Sequence, residues 1–215
     1  MRVKHLIPLV IIILFSISIY ADTAEDNDED YITDNLGTEV YEIMPFTDVE
    51  INSYYYDAVV WANLTEVTSG TSATTFSPNM TCTRGQVVTF IWRALGCPEP
   101  ENNHNPFKDV YENKYYYNSV LWSYENGIVA GTSATEFSPE KTCTIGQVLT
   151  LIWRALGSQK ADTTILPISK QNKYYSDAIA WATVEGLLEH MPEKWDAEAP
   201  SPRADIVMFL YSKLS

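Results

Sequence analysis

The residues best suited to bind a ligand stand just before an apolar run. In the segment Thr83-Arg84-Gly85-Gln86, Thr83 and Gln86 have the spacing of a capping box, in which each side chain accepts the other residue's backbone N–H. An arginine in a first helical turn presents a planar fork that matches a carboxylate, near N–H groups without helical partners. Arg84 beside the small Gly85 is therefore a candidate anion site. The alternatives are that Arg84 is solvated or pairs with an acid such as Asp48.

This motif belongs to an internal repeat. Residues 46–96 align with 107–157 at a constant offset of 61, and 30 of the 51 positions are identical. A third, more divergent copy occupies about 166–215. Units this small bury too little apolar surface alone, so they are expected to share a core. The arginine recurs as Arg203 in the third copy, whereas Ile145 replaces it in the second.

Each repeat reads as a helix, a loop and a second helix. The first helix is predicted from Tyr54 to about Glu66, with apolar residues at helical spacing. The loop contains a turn glycine, Gly70 in the first copy and Gly131 in the second, and Phe76 is expected to anchor it. The second helix is predicted to begin at the capping box and to stop at a glycine. The third copy has Pro202 at the expected first helical position.

Acidic and aromatic residues extend the candidate site. Asp48 and Asp109 precede the first helices of their repeats. They are predicted either to stabilise a turn or cap there or to lie at the edge of a groove. Trp61 and Trp122 could stack on sugar rings, but their helical spacing favours core packing. One tyrosine of each Tyr-Tyr-Tyr segment is expected to face solvent or a groove.

The N-terminus predicts a secretory signal over residues 1–21, with basic residues before 14 largely apolar ones. An uncleaved anchor is the alternative, although the stretch is shorter than the ~20 residues that span a bilayer. Residues 22–44 form an acidic, flexible spacer. The net charge of −14 disfavours binding to nucleic acid or anionic membranes, and no membrane span is expected after cleavage.

Cysteine and histidine usage predicts neither a disulfide framework nor a metal site. Cys82 and Cys143 occupy the same position in two repeats, either as small buried residues or as a bridge if their Cα atoms lie within ~7 Å. His104 and His190 are predicted to lie apart from any cluster. No nucleophile–base pair, phosphate loop or cofactor motif is visible, so the chain is predicted not to be an enzyme and to need no cofactor.

The repeat resembles the S-layer homology (SLH) family of bacterial surface proteins. The resemblance rests on the aromatic-Asp-Val opening, the tyrosine-led helix with Trp-Ala or its equivalent, a Gly-Ile-Val-x-Gly-Thr turn, Phe-Ser-Pro, and a helix start like Thr-Arg-Ala-Glu. It implies a mainly α fold of three helix–loop–helix repeats packed about a pseudo-threefold axis. Grooves between repeats would hold a cell-wall-linked polysaccharide, often with pyruvate ketals, and the motif arginine would be the main contact.

The resemblance sets the expected organisation and role. The repeats are predicted at residues 45–97, 106–158 and, in degenerate form, 166–215, with at least one groove degenerate because of Ile145. The chain is expected to be secreted and to anchor non-covalently at the cell wall or cell surface. The alternative is a module that binds another surface protein and has lost most glycan contacts. The predicted glycan-binding set is Arg84, Arg203, Thr83, Gln86, Asp48, Asp109, Gly70, Gly131, Trp61 and Trp122.

Overall fold

A computed structural model describes residues 44–102 and 104–215, which form six α-helices. The predicted signal segment and all of the spacer before residue 44 lie outside this range. No β-strand occurs within it, and the prediction of a mainly α fold is confirmed. The helices are α1 Tyr56–Leu64, α2 Arg84–Ala94, α3 Tyr117–Glu125, α4 Ile145–Ala155, α5 Ser176–Val184 and α6 Arg203–Leu214, with 3-10 turns at Thr163–Ile165 and Ile168–Lys170 between α4 and α5.

The second helix of each of the first two repeats begins as its sequence predicts. Thr83 caps α2 and Thr144 caps α4, each with both hydrogen bonds of a capping box. After α2 the chain turns at Gly96, which has a left-handed φ of 83° that glycine adopts without strain. In the third copy Pro202 is the N-cap of α6, and the helix begins at Arg203. The placement of Pro202 inside the helix was therefore wrong by one residue.

The first helices are shorter than predicted. Helix α1 begins at Tyr56 because Tyr54 and Tyr55 belong to a preceding turn, in which the Tyr56 N–H donates to the Ser53 carbonyl. It ends at Leu64, and Glu66 has a left-handed φ of 58° that a helix cannot accommodate. Helical spacing of apolar residues continues through such turns, so it overestimates the helix.

Helix packing joins different repeats. Helix α1 packs on α6, α3 on α2 and α5 on α4, so each first helix lies against the second helix of a neighbouring repeat. The second helices α2, α4 and α6 also contact one another. The order of contacts is thus closed around the three copies. The pseudo-threefold axis itself stays a prediction.

Backbone hydrogen bonds run in the same order. The first two N–H groups of α2 donate to the carbonyls of Lys141 and Pro139, both at 2.9 Å. Those of α4 donate to Ala199 and Ala197, and those of α6 donate to Met80 and Pro78. Each second helix is therefore capped by the loop that precedes the next one.

Cys82 and Cys143 meet where these loops converge. Both side chains are fully buried free thiols, and the Cys143 N–H donates to the Cys82 carbonyl at 3.1 Å. Ser201 takes the equivalent place in the third copy, where its N–H donates to the Cys143 carbonyl at 3.0 Å. Burial raises the pKa of Cys143 to about 11, so the thiol is protonated at neutral pH.

Candidate functional site

Arg84 lies in a crevice supplied by the following repeat. Its side chain is 9% exposed, and Nε donates to the Phe137 carbonyl and Nη2 to the Ala130 carbonyl, both at 3.0 Å. The guanidinium also lies over the Phe137 ring, 4.6 Å from its centre. Burial lowers the pKa of Arg84 below its usual value. Arg84 is thus held in a fixed position by backbone carbonyls, and no acid of the described residues forms an ion pair with it, although the charge of Asp109 partly opposes the lowering of its pKa.

The expectation of free helix N–H groups beside Arg84 was wrong. The N–H groups of Arg84 and Gly85 donate to loop carbonyls of the next repeat, and the Gln86 N–H faces the Thr83 hydroxyl at 3.4 Å. Gly85 is no open cradle, because a Cβ there would lie 2.8 Å from the Tyr116 ring. Sequence periodicity does not show which loop covers a helix end. The cation, and not the helix terminus, remains as the candidate anion-binding element.

The guanidinium borders a groove of about 300 Å³, which we call the Arg84 groove. It lies between the loop of the second repeat, helix α4 and the segment before α5. Its lining residues are Arg84, Ala130, Gly131, Thr132, Gln147, Thr150, Leu151, Arg154 and Tyr174. The groove thus unites the predicted Arg84 and Gly131 with residues that sequence reasoning missed, among them Arg154 and Tyr174.

The missed residues carried a weak sequence signal. The exposed fractions of Tyr54, Tyr115 and Tyr174 are 50%, 57% and 55%. The first tyrosine of each tyrosine segment is therefore the one that faces outward. Arg154 follows Ile145 by nine residues on α4, and its Nη1 donates to the Ile128 carbonyl at 3.3 Å. Neither position could be assigned to a groove before the neighbouring repeats were placed.

Asp48 and Asp109 hold the loops of their own repeats. The Asp48 carboxylate accepts the N–H groups of Phe76 and Ser77 at 2.8 and 2.7 Å, and Asp109 accepts those of Phe137 and Ser138 at the same distances. Asp109 also lines a second depression of about 370 Å³, beside Lys114 and Lys141. The observed contacts are those of loop caps.

The other predicted residues have mainly structural contacts. Thr83 and Gln86 form the capping box of α2. At Gly70 a Cβ would lie 2.5 Å from the Phe46 ring, and φ is 80°, so only glycine fits this turn. Trp61 and Trp122 are partly buried against the core, with Trp61 5.9 Å from the Tyr211 ring. Neither tryptophan lines the Arg84 groove.

Arg203 is buried more deeply than Arg84. Only 3% of it is exposed, its Nη2 donates to the Thr68 hydroxyl, and its guanidinium lies 5.0 and 4.7 Å from the rings of Phe76 and Phe90. Its Nε has no hydrogen-bond partner among the described residues. Burial lowers its pKa, while nearby Cys82 and Tyr115 act in the opposite direction. No Asp or Glu in the described part of the chain forms an ion pair with Arg84 or Arg203.

Ile145 occupies the third equivalent position and is 4% exposed, as expected for packing. His190 was predicted to lie apart from any metal-binding cluster, and its neighbours are a tyrosine and a single acid. Its ring stacks on Tyr54, with 4.8 Å between ring centres, and its Nε2 lies 3.7 Å from Asp205 Oδ1. The two partners come from sequence positions far from His190, so spacing along the chain could not reveal them.

Comparison with known proteins places this repeat in a family. The model of the S-layer homology domain matches residues 45–88 and 106–148, the first two copies. The first two copies are therefore S-layer homology repeats. The SLH repeats place the chain at the cell wall or cell surface, and at the level of the family they support attachment to the wall.

Three similar proteins share part of their length with the chain. It is 29% identical over 182 residues to an endoglucanase of Bacillus sp. (strain KSM-635), covering 85% of the chain and 18% of that protein. It is 30% identical to a cell surface protein of Thermoanaerobacter kivui, over 55% of the chain and 16% of that protein. It is also 30% identical to the surface-layer 125 kDa protein of Lysinibacillus sphaericus, over 74% of the chain and 14% of that protein. The chain therefore spans less than a fifth of each.

Within the described residues, no helix combines the length and apolar character needed to cross a bilayer.

Proposed function

We propose that the chain attaches to the cell wall by binding a carboxylate-bearing polysaccharide, such as one with pyruvate ketals, beside Arg84 and Arg203. The observation that carries the proposal is that both guanidinium groups are buried without an acidic partner in the described residues. A buried cation is costly unless an anion or several hydrogen bonds compensate it. A ligand carboxylate would supply the missing negative charge.

The Arg84 groove offers what such a ligand needs. The guanidinium fixes a carboxylate, Arg154 adds a second cation, and Tyr174 offers an aromatic face and a hydroxyl to a sugar ring. The negative net charge opposes an anionic ligand only as a screened, long-range term. Recognition therefore depends on the local site.

We propose that residues 166–215 form the third, degenerate SLH repeat. Helix α5 packs on α4 as α3 packs on α2, and α6 packs on α1 as α2 packs on α3. The Arg203 site repeats the aromatic contact of the Arg84 site, with Phe76 in the place that Phe137 takes beneath Arg84.

The proposed role is attachment and not catalysis. The Asp48 and Asp109 carboxylates already accept two backbone N–H groups each, which leaves them poorly placed for proton transfer. The match to an endoglucanase covers 18% of that protein. We attribute that match to SLH repeats carried beside a separate catalytic part.

Substitution of Arg84 tests the proposal. Binding of a saccharide with a pyruvate ketal to the purified chain is measured by calorimetry, and we expect Arg84→Ala to weaken it about 10- to 150-fold in one groove, because charge-assisted hydrogen bonds contribute roughly 1.5–3 kcal/mol. Lys213→Ala is the matched control, since it also removes one cation but lies on the surface beside Glu185. Equal affinity of a folded Arg84→Ala chain and the natural chain would refute the role of Arg84.

Binding of another surface protein is the alternative, favoured by the burial of Ile145 at one of the three equivalent positions. Purified walls are tested before and after chemical removal of their secondary polysaccharide. We expect binding to be lost with the polymer. Retention on stripped walls would instead support a protein partner.

A further inference from the structure

The three arginine or isoleucine positions define three equivalent spaces, and one of them differs from the Arg84 groove. Arg84, Ile145 and Arg203 are the first residues of α2, α4 and α6, and Tyr55, Tyr116 and Tyr175 immediately precede α1, α3 and α5. These helix starts fix the register between copies. Around Ile145, the positions that correspond to Gly131, Gln147, Leu151 and Tyr174 of the Arg84 groove are His190, Asp205, Phe209 and Tyr54.

Those four residues touch one another, whereas their counterparts line an open groove. The imidazole of His190 stacks on Tyr54 at 4.8 Å with 19° between the ring planes, and it lies 5.5 Å from the ring of Phe209. The Tyr54 hydroxyl donates to Asp205 Oδ1 at 2.5 Å. The side chains of His190 and Asp205 are only 9% and 6% exposed. The imidazole therefore occupies the part of this space that lies between Tyr54 and Phe209.

The charge of this space is also reversed. Ile145 removes the guanidinium, and Asp205 places a carboxylate where the Arg84 groove has the neutral Gln147. A ligand carboxylate would meet a like charge and lose its fork-shaped partner. Shape and charge thus exclude the same ligand.

We propose that Tyr54, His190 and Asp205 form a plug that closes the groove at Ile145, with Tyr54 on its outer side, so that the chain has two ligand grooves and not three. We call these residues the Tyr54 plug. The contact between the third and first copies then holds the two copies together and does not bind a ligand. The ligand part of this inference rests on the proposed function, while the closure rests on the contacts alone.

A thermal double-mutant cycle tests the closure without any ligand. Tyr54→Leu and His190→Gly are made singly and together, and midpoints of unfolding are compared. We expect the double variant to lose less than the sum of the single losses, because each substitution already removes the stacking. Tyr174→Leu combined with His190→Gly is the matched control and should be additive, since Tyr174 lies in the Arg84 groove. Additive losses for Tyr54 and His190 would overturn the closure; His190→Ala replaces His190→Gly if the latter does not fold.

Rebuilding the groove at Ile145 tests how many ligand sites the chain has. Ile145→Arg, His190→Gly and Asp205→Gln together restore the arginine, the glycine and the neutral amide of the Arg84 groove, while Phe209 and Ser212 remain at the positions of Leu151 and Arg154. Titration with the pyruvyl-ketal saccharide should give two sites in the natural chain and three in the rebuilt chain. Three sites in the natural chain, or no gain in a folded rebuilt chain, would overturn the proposal. If the natural chain binds no saccharide, the proposed function fails, and the double-mutant cycle still decides whether the plug closes the space.

Discussion

The two aspartates at the repeat openings show how one side chain can fix a loop that packs beneath an arginine. Asp48 accepts the N–H groups of Phe76 and Ser77, and Phe76 is fully buried. The Phe76 ring in turn lies beneath Arg203. Both oxygens of the Asp48 carboxylate are needed, because each accepts one of these two N–H groups.

Asp48→Asn should therefore destabilise the chain. The amide keeps one acceptor oxygen and turns an NH₂ group toward the second N–H, so we expect a loss of about 2–3 kcal/mol in the free energy of unfolding. Urea denaturation measures it. Asp57→Asn is the control, because Asp57 is exposed in the first turn of α1 and should change stability by well under 1 kcal/mol. Similar effects of the two substitutions would contradict the loop-cap role.

Residue types predicted caps better than they predicted the binding site. The capping box at Thr83 could be derived because both partners are three residues apart. The partners of Arg84 are Ala130 and Phe137, more than 40 residues away, and a backbone carbonyl acceptor leaves no mark on residue identity. The contacts of His190 were missed because its stacking partner, Tyr54, comes from the first copy, and only the packing of the first copy on the third brings the two rings together.

At the level of elements, the second helices meet the following repeat through small residues. A Cβ at Gly85 would lie 2.8 Å from the Tyr116 ring, and one at Gly146 would lie 2.7 Å from Tyr175. Tyr116 and Tyr175 are 3% and 4% exposed, so neither ring can move outward freely. In the third copy the small residue is Ala204, and its counterpart Tyr55 is only partly buried. The size of this residue and the depth of the tyrosine vary together.

We expect Gly85→Ala to lower the free energy of unfolding by about 1 kcal/mol. Overpacking costs typically 1–3 kcal/mol, and the gain in helix propensity offsets up to about 1 kcal/mol of it. Gly146→Ala should behave alike, whereas Ser212→Ala, at an exposed position of α6, should be neutral. Denaturant unfolding is the measurement. A gain in stability in Gly85→Ala would mean that the interface yields.

The element pattern was largely predictable because repetition reinforces weak local signals. Two nearly identical copies gave the same helix, loop and helix, and the capped starts of α2 and α4 were placed correctly. The ends of α1 were not, because apolar spacing continues beyond Leu64 while the left-handed Glu66 ends the helix. Backbone conformation at a single residue is not encoded in the apolar pattern.

At the level of the whole molecule, no repeat carries its own main packing partner. Helix α1 packs on α6, and α4 packs on α5, so the first and second repeats both depend on the third copy. The N–H groups at the start of α6 likewise depend on carbonyls of Pro78 and Met80 from the first repeat. The described chain should consequently unfold as one cooperative unit.

Truncation tests this dependence. A chain that ends at residue 158 lacks α5 and α6, which leaves the apolar faces of α1 and α4 without cover, and we expect it to show no cooperative thermal transition by circular dichroism. The control keeps all residues but is cut by a protease at a site inserted within residues 159–162, where most side chains are exposed. Its two pieces should stay associated and melt cooperatively, because the same contacts remain. A sharp transition in the truncated chain would show that two repeats suffice, and the closed order of contacts would then not be what holds the fold together.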